Sequence, residues 1–403
     1  MNKYDSYIRM VEQLNSKHQI RDYLEIDQSQ GCFPYIRVNN RECISFSTCN
    51  YLGYTEHESI KQSAIDGTLD FGVGTGGSRY IGGTSSIHHK VENKIAQLHN
   101  KESAVLYNNG YMANLGTIPC LAREGDIIFS DEKNHASIID AIRLSKAKRV
   151  IWKHNDPRDL EQKILQNPCE GNRLIICESL YSMDGDFAPL REIVELCKKH
   201  QCLLYLDEIH AIGVYGHNGA GYASQLGLEN DVDFLMGGTA KALGSLGGYV
   251  CLPRCVEQLI KSRSRSFIFT ISLPNLILNT ISTAVDICQS DQLSRATLQE
   301  NSDYMREKLE HYGYDYLNSQ SHLFPIMIGE SGEAKKATAL FLREGIYVQG
   351  VQFPTVPEGE ARLRVSVTAT HSKAQIDFFI SVLNQLREQK AVKFSGHCAL
   401  TYS

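Results

Sequence analysis

Short apolar runs recur through the middle of the chain at 104–107, 126–129, 149–152, 174–177, 203–206, 234–236 and 249–252. Stretches with helical spacing separate several of them, at 138–145, 159–165 and 190–200. Strands this short and this uniformly apolar, alternating with helices, predict an α/β domain with a mostly parallel sheet covered on both faces. Upstream, Tyr7, Ile8, Val11 and Leu14 fall on one face of a helix predicted over 4–18. Two short strands at 35–38 and 43–46 follow, split at Asn39-Asn40. A helix over 88–98 turns Val91, Ile95 and Leu98 inward. After Pro274 a helix at 276–288 leads into a second pattern, with strands at 324–328, 346–349 and 363–367 and helices at 334–343 and 373–387. This second pattern predicts a smaller α+β domain. The expected division is an N-terminal helix and strands over 1–50, a large domain over 51–285, a small domain over 286–390, and a tail over 391–403 without periodicity.

Composition narrows the class without naming a chemistry. The 403 residues are 42% hydrophobic and 22% charged, as in ordinary globular proteins. A net charge of −5 gives no electrostatic case for nucleic acid or an anionic membrane. The N-terminal residues are charged and amphipathic rather than signal-like, and no apolar run reaches membrane-spanning length. The twelve cysteines lack zinc-site spacing, which suits reduced thiols in a cytoplasmic protein.

Four stretches carry candidate chemistry. Lys241 stands in DFLMGGTAKALGSLGGYV, among residues small enough to leave room for a planar group on its amine. The residues before it lack the Walker spacing, and alanine follows it, so a nucleotide P-loop is excluded. In LLYLDEIHAIGVYG an apolar strand runs into Asp207, with His210 three residues on. Ligands of parallel sheets bind beyond the carboxyl ends of strands, where a carboxylate keeps a pyridinium nitrogen protonated; a helix-capping aspartate is the plainer alternative. In SDEKNHAS, His135 follows a strand and can lay its flat face on a planar ligand. Asn109-Gly110-Tyr111 opens a helix whose free N–H groups suit a phosphate. The run from Gly72 to Gly77 matches the dinucleotide fingerprint literally, but a polar helical stretch precedes it instead of a strand, which argues against nicotinamide binding.

Taken with SFIFTISLP, ESLYSMDGDFAPL, GIYVQ and FPTVPEGEARLRVS, these stretches resemble the α-oxoamine synthase family from about Arg21 to His371. The resemblance implies a fold-type I, aminotransferase-like pyridoxal 5′-phosphate enzyme. It implies that Lys241 forms the Schiff base and acts as proton-transfer base, that Asp207 pairs with the pyridine nitrogen, and that His210 and Ser182 lie near the ring hydroxyl. His135 stacks on the ring. By the same resemblance Gly110 and Tyr111 should bind the phosphate and Thr270 should reach the cofactor of a second subunit in a homodimer with a shared active site, while Thr239 stands one place after the family's cofactor-site threonine. Arg364 is the fork that holds the amino-acid carboxylate.

The implied reaction joins a small amino acid to an acyl-CoA, releasing CoA and CO2 to give an aminoketone. Within the family, SDEKNHAS, DGDFAPL and FPTVP look most like 5-aminolevulinate synthase, which favours glycine, and Arg21 matches its acyl-carboxylate arginine. Ser78 replaces that enzyme's threonine. Tyr80 and the segment 367–370 instead resemble serine palmitoyltransferase, the alternative with a fatty acyl substrate. The chain departs from the family at two places: Cys49 stands where asparagine is usual, leaving Asn50 to substitute, and Gly238 takes a threonine's place, with Thr239 next. These departures keep open a cofactor-fold partner protein without activity.

Overall fold

In the computed structural model, which describes residues 2–27, 33–317 and 319–395, the chain forms two units. One holds residues 1–48, 182–186 and 297–403; the other holds 49–181 and 187–296. The strands in chain order are β1 (Ile26–Asp27), β2 (Tyr35–Val38) and β3 (Arg41–Ser45), then β4 (Ser103–Tyr107), β5 (Ile127–Asp131), β6 (Lys148–Trp152), β7 (Arg173–Glu178), β8 (Leu203–Asp207), β9 (Phe234–Gly238) and β10 (Gly248–Leu252). Four more follow: β11 (Leu323–Gly329), β12 (Ile346–Tyr347), β13 (Gln349–Val351) and β14 (Ala361–Ser366).

The larger unit is built on one seven-stranded sheet of order β4-β10-β9-β8-β7-β5-β6. Its pairings are parallel except at β10, which runs antiparallel to both β4 and β9. Both faces are covered, so nearly every residue of the inner strands is buried. On one face Val105 and Tyr107, Leu174 and Ile176, Phe234 and Met236, and Val250 and Leu252 share a core with Ala113 and Ile118. The spacing of two along each strand puts these side chains on a common side. Residues between them, such as Ile175, Leu204, Leu206 and Cys251, are buried on the other. All seven expected strands are present, each within two residues of its predicted limits.

The smaller unit has two sheets, β1-β2-β3-β12 and β11-β14-β13. The run expected as one strand at 346–349 divides between them. Ile346 and Tyr347 pair in parallel with Ile44 and Ser45, whereas Gln349 to Val351 pair with β14. That parallel pairing is why the N-terminal strands belong with the C-terminal part rather than standing alone. The two units part near residue 296, within the helix Gln292–His311. That twenty-residue helix is absent from the sequence expectation, since its mixed polar surface gives weak periodicity. Of the expected tail, residues 396–403 lie outside the described ones.

Leu206 is completely buried one position before Asp207. Leu206→Ala should lower stability by about 2–5 kcal/mol, read from the urea unfolding midpoint of the holoprotein.

Candidate active site

Three neighbouring strands deliver their last residues to one edge of the large sheet: Glu178 from β7, Asp207 from β8 and Gly238 from β9. Glu178 and Asp207 are direct register partners, and both are buried. A buried carboxylate needs donors, and Asp207 has them. Its Oδ2 accepts from Asn114 Nδ2 at 3.0 Å and its Oδ1 from the Ile209 backbone N–H at 3.0 Å. Asn114 lies one turn into the helix Gly110–Leu121, and its amide oxygen accepts from the Tyr205 hydroxyl at 2.7 Å.

The second N–H of Asn114 reaches Ser137 Oγ at 2.9 Å, which in turn is 2.8 Å from His135 Nδ1. The Ser137 backbone N–H also donates to Nδ1, so Nδ1 is the acceptor and the ring proton sits on Nε2. Desolvation is the main cause lowering the His135 pKa, the Asp207 charge opposes it, and Lys241 adds a smaller push downward. The His135 backbone N–H donates to Glu178 Oε1 at 2.6 Å. Glu178 is pushed well above the usual carboxylate range, first by burial and then by Asp207 beside it.

Lys241 follows β9 in a tight turn, and its Nζ is hydrogen-bonded to His210 Nε2. His210 Nδ1 lies 2.8 Å from the hydroxyl of Tyr51, a fully buried residue. Gly238 is fixed by packing, since a Cβ there would stand 2.7 Å from two atoms of Ile209. A threonine at that position would require the Ile209 side chain to move. One residue later, the buried Oγ1 of Thr239 has no protein partner among the described residues. At the start of the helix Gly110–Leu121, the Asn109 side chain takes the Met112 N–H, while first-turn N–H groups such as those of Gly110 and Tyr111 have no intrahelical acceptor. Asn108 Nδ2 braces the segment carrying Thr270, at 2.8 Å from Ile271 O and 3.5 Å from Thr270 Oγ1.

These contacts form two networks in the larger unit, Lys241 with His210 and Tyr51 and Asp207 with Asn114, Ser137 and His135, and Thr239, Gly110 and Tyr111 stand on elements of the same unit. Asn50 engages Thr55 through both ends of its amide, at 2.6 and 3.3 Å. Ser78 pairs with Ile271, and Tyr80 is exposed. The remaining site residues belong to the smaller unit. There Arg364 donates to Ser182 O at 3.1 Å and Ser182 Oγ at 3.2 Å, and the exposed Arg21 donates to Thr355 Oγ1 at 2.8 Å. Sequence reasoning missed Glu178, Asn114, Ser137 and Tyr51. Glu178 opens the motif ESLYSMDGDFAPL, but only the strand register reveals its closeness to Asp207.

A model of the family described as aminotransferase class I and II matches residues 41–383. The 8-amino-7-oxononanoate synthase of Symbiobacterium thermophilum is 40% identical over 91% of this chain and 94% of its own. The 5-aminolevulinate synthase of Rickettsia prowazekii is 33% identical over 98% and 97%. The chain belongs to the α-oxoamine synthase family. The serine palmitoyltransferase of Sphingomonas wittichii superposes with a TM-score of 0.90 at 31% identity, covering 97% of this chain and 99% of that one. As in the rest of this α-oxoamine synthase family, the cofactor is pyridoxal 5′-phosphate, which related serine palmitoyltransferase structures hold.

The residues present fit that group. Thr239 offers a buried hydroxyl and the 110–121 helix start offers N–H groups for an anion. Asp207 offers a rigid carboxylate, and Lys241 an amine. Glu178→Gln keeps an oxygen that can accept from the His135 backbone N–H and should bind the cofactor as tightly as the parent. Glu178→Ala should weaken binding about tenfold, because a buried N–H loses its acceptor. Titration of the visible cofactor absorbance distinguishes them; a Gln variant as weak as the Ala variant would show that the carboxyl group itself matters.

Proposed function

We propose that this α-oxoamine synthase joins a small amino acid, glycine or alanine, to an acyl-CoA whose acyl chain ends in a second carboxylate. The names of two relatives support this reading chemically. Both 8-amino-7-oxononanoate and 5-aminolevulinate are aminoketones that carry a carboxylate at the far end of the chain. Removing the aminated carbons leaves a seven-carbon and a four-carbon dicarboxylic unit. The observation in this chain that carries the reading is Arg21, an exposed guanidinium steadied by Thr355. The narrower glycine and succinyl-CoA pair rests on the sequence resemblance. Alanine with the seven-carbon acyl group is favoured by the higher identity to the 8-amino-7-oxononanoate synthase.

Pyridoxal phosphate supplies an electron sink for the negative charge that develops at the amino acid's α-carbon. The rest falls to protein side chains. Lys241 anchors the cofactor and, once its amine is free, takes the α-proton. His210, bonded to that amine and to Tyr51, holds it in position. Asp207 maintains a proton on the ring nitrogen, and neutral His135 gives a flat surface without a competing charge. Arg364 fixes the amino-acid carboxylate so that the bond to be broken is correctly oriented, an effect worth several kcal/mol.

A fatty acyl substrate is the second reading. It is favoured by the exposed aromatic side chain of Tyr80 and by the likeness to a serine palmitoyltransferase. CoA release from glycine, alanine and serine against succinyl-, pimeloyl- and palmitoyl-CoA separates the two. The dicarboxylic thioesters should be turned over, and Arg21→Leu should raise their KM by up to about fivefold. Turnover of serine with palmitoyl-CoA alone would overturn the proposal.

The homodimer is part of the same reading. Val73, Tyr80, Ile81, Phe269 and Ile271 are all exposed on or beside the segments joined by the Ser78–Ile271 bridge, next to Thr270. A cluster of exposed apolar side chains marks an association surface. Phe269→Glu should shift the protein towards monomer in size-exclusion chromatography and weaken cofactor retention, because Thr270 acts across the interface. A dimer that persists unchanged would remove this patch from the interface.

A further inference from the structure

The smaller unit contains a second arginine whose environment no part of the proposed reaction explains. β14 is the central strand of its sheet, and Arg362, Ser366 and the expected carboxylate fork Arg364 lie on one side of it at intervals of two. Arg362 is almost completely buried. Burying a guanidinium is costly unless its N–H groups are matched, and Arg362 is well matched. Nη1 donates to Met183 O at 3.0 Å and to Asp184 Oδ1 at 2.6 Å. Nε donates to Glu360 O at 2.9 Å, and Nη2 to Glu360 Oε2 at 2.9 Å.

Two of these bonds go to the five-residue excursion 182–186, which the chain places in this unit. The same excursion supplies Ser182, which accepts from Arg364 Nε through its carbonyl and from Arg364 Nη2 through its hydroxyl. Ser366 Oγ, at 3.0 Å from Nη1, braces the other side. The plane of the Arg364 guanidinium is therefore set largely by where Ser182 lies. Ser182 in turn is fixed from one side by the grip of Arg362 on the next two residues. From the other side, Gly185 is held by Ser319 and Gln320, which bond its carbonyl at 3.1 Å each. Its φ of +73° and the absence of room for a Cβ, only 2.3 Å from Leu323 O, keep that anchor independent of Arg362.

We propose that Arg362 is a positioning residue for the amino-acid carboxylate: by clamping Met183 and Asp184 it places Ser182, and Ser182 sets the plane of Arg364. The proposal rests on the reading of Arg364 as the carboxylate fork. A bidentate fork is sensitive to rotation of its plane, whereas a point charge is not. Loss of the clamp is thus felt as weaker and less oriented amino-acid binding, without any effect on the acyl thioester. A purely structural staple predicts lower stability and unchanged substrate constants.

The test uses the holoenzyme. Arg362→Lys keeps a cation beside Asp184 but loses the fork that reaches Met183 and Glu360 together. The expected result is an amino-acid KM raised about tenfold, an unchanged acyl-CoA KM, and a parallel loss of amino-acid affinity in the cofactor absorbance titration. Glu360→Ala removes only the partly exposed carboxylate partner, so its fold is not at risk. It should shift the amino-acid KM in the same direction by a smaller factor. If both variants lower the melting temperature but leave the amino-acid KM unchanged, Arg362 is a staple and the proposal fails. Arg364→Lys is the control for the underlying reading. An Arg364→Lys enzyme with normal amino-acid binding overturns the fork assignment and the proposal with it, whereas impaired binding there alongside normal Arg362→Lys binding overturns the proposal alone.

Discussion

The site depends on holding a carboxylate at the end of a buried strand. β8 carries Asp207 into a place with almost no solvent, and such a group is tolerable only with fixed donors around it. Asn114 is the main donor, and its amide is saturated: the oxygen takes the Tyr205 hydroxyl while the two N–H groups go to Asp207 and Ser137. A saturated amide has only one orientation that satisfies every partner. The requirement to satisfy Asp207 thereby fixes the register of the Gly110–Leu121 helix, and with it the N–H groups at the helix start. Through Ser137 it also fixes which nitrogen of His135 bears the proton.

Close packing supplies the second constraint. Ile209 sits where a Cβ at either Gly110 or Gly238 would come within 2.6 to 2.7 Å of its side chain. One apolar residue between a helix start and a strand end thus packs closely against both glycines. Thr239 also lies beneath Gly247, where an added Cβ would stand 2.8 Å from its Oγ1. The turn bearing Lys241 is consequently tight on both sides, which limits the ways its amine can point.

Much of this was legible in the sequence because strands covered on both faces are written as unbroken apolar runs. The run ending at Asp207 and the small residues around Lys241 could be read directly. Glu178 could not, because it is an acid at the end of a strand like any other until the β7–β8 register sets it against Asp207. The split between β12 and β13 was hidden for a related reason. A run of four residues can serve two sheets, and only its partners in β3 and β14 say where it divides. Arg362 was invisible too, since its neighbour Arg364 accounted for the motif RLRVS, and a buried arginine announces itself only through its partners.

The two arginine environments bear differently on substrate choice. Arg364 is held by named contacts on both sides, so a carboxylate it grips is both attracted and oriented. Arg21 is exposed and steadied by one hydroxyl, and an ion pair in such a setting is worth only about 0–1 kcal/mol. An exposed guanidinium can therefore favour an acyl chain that ends in a carboxylate, but it cannot measure the chain's length. Length has to be read by apolar contact along the chain, at about 0.8 kcal/mol for each methylene buried. On the reading proposed above, Tyr80 in the glycine-dense loop is the side chain expected to make that contact. Discrimination between a four-carbon and a seven-carbon dicarboxylic acyl group should accordingly follow substitutions at Tyr80 more closely than substitutions at Arg21.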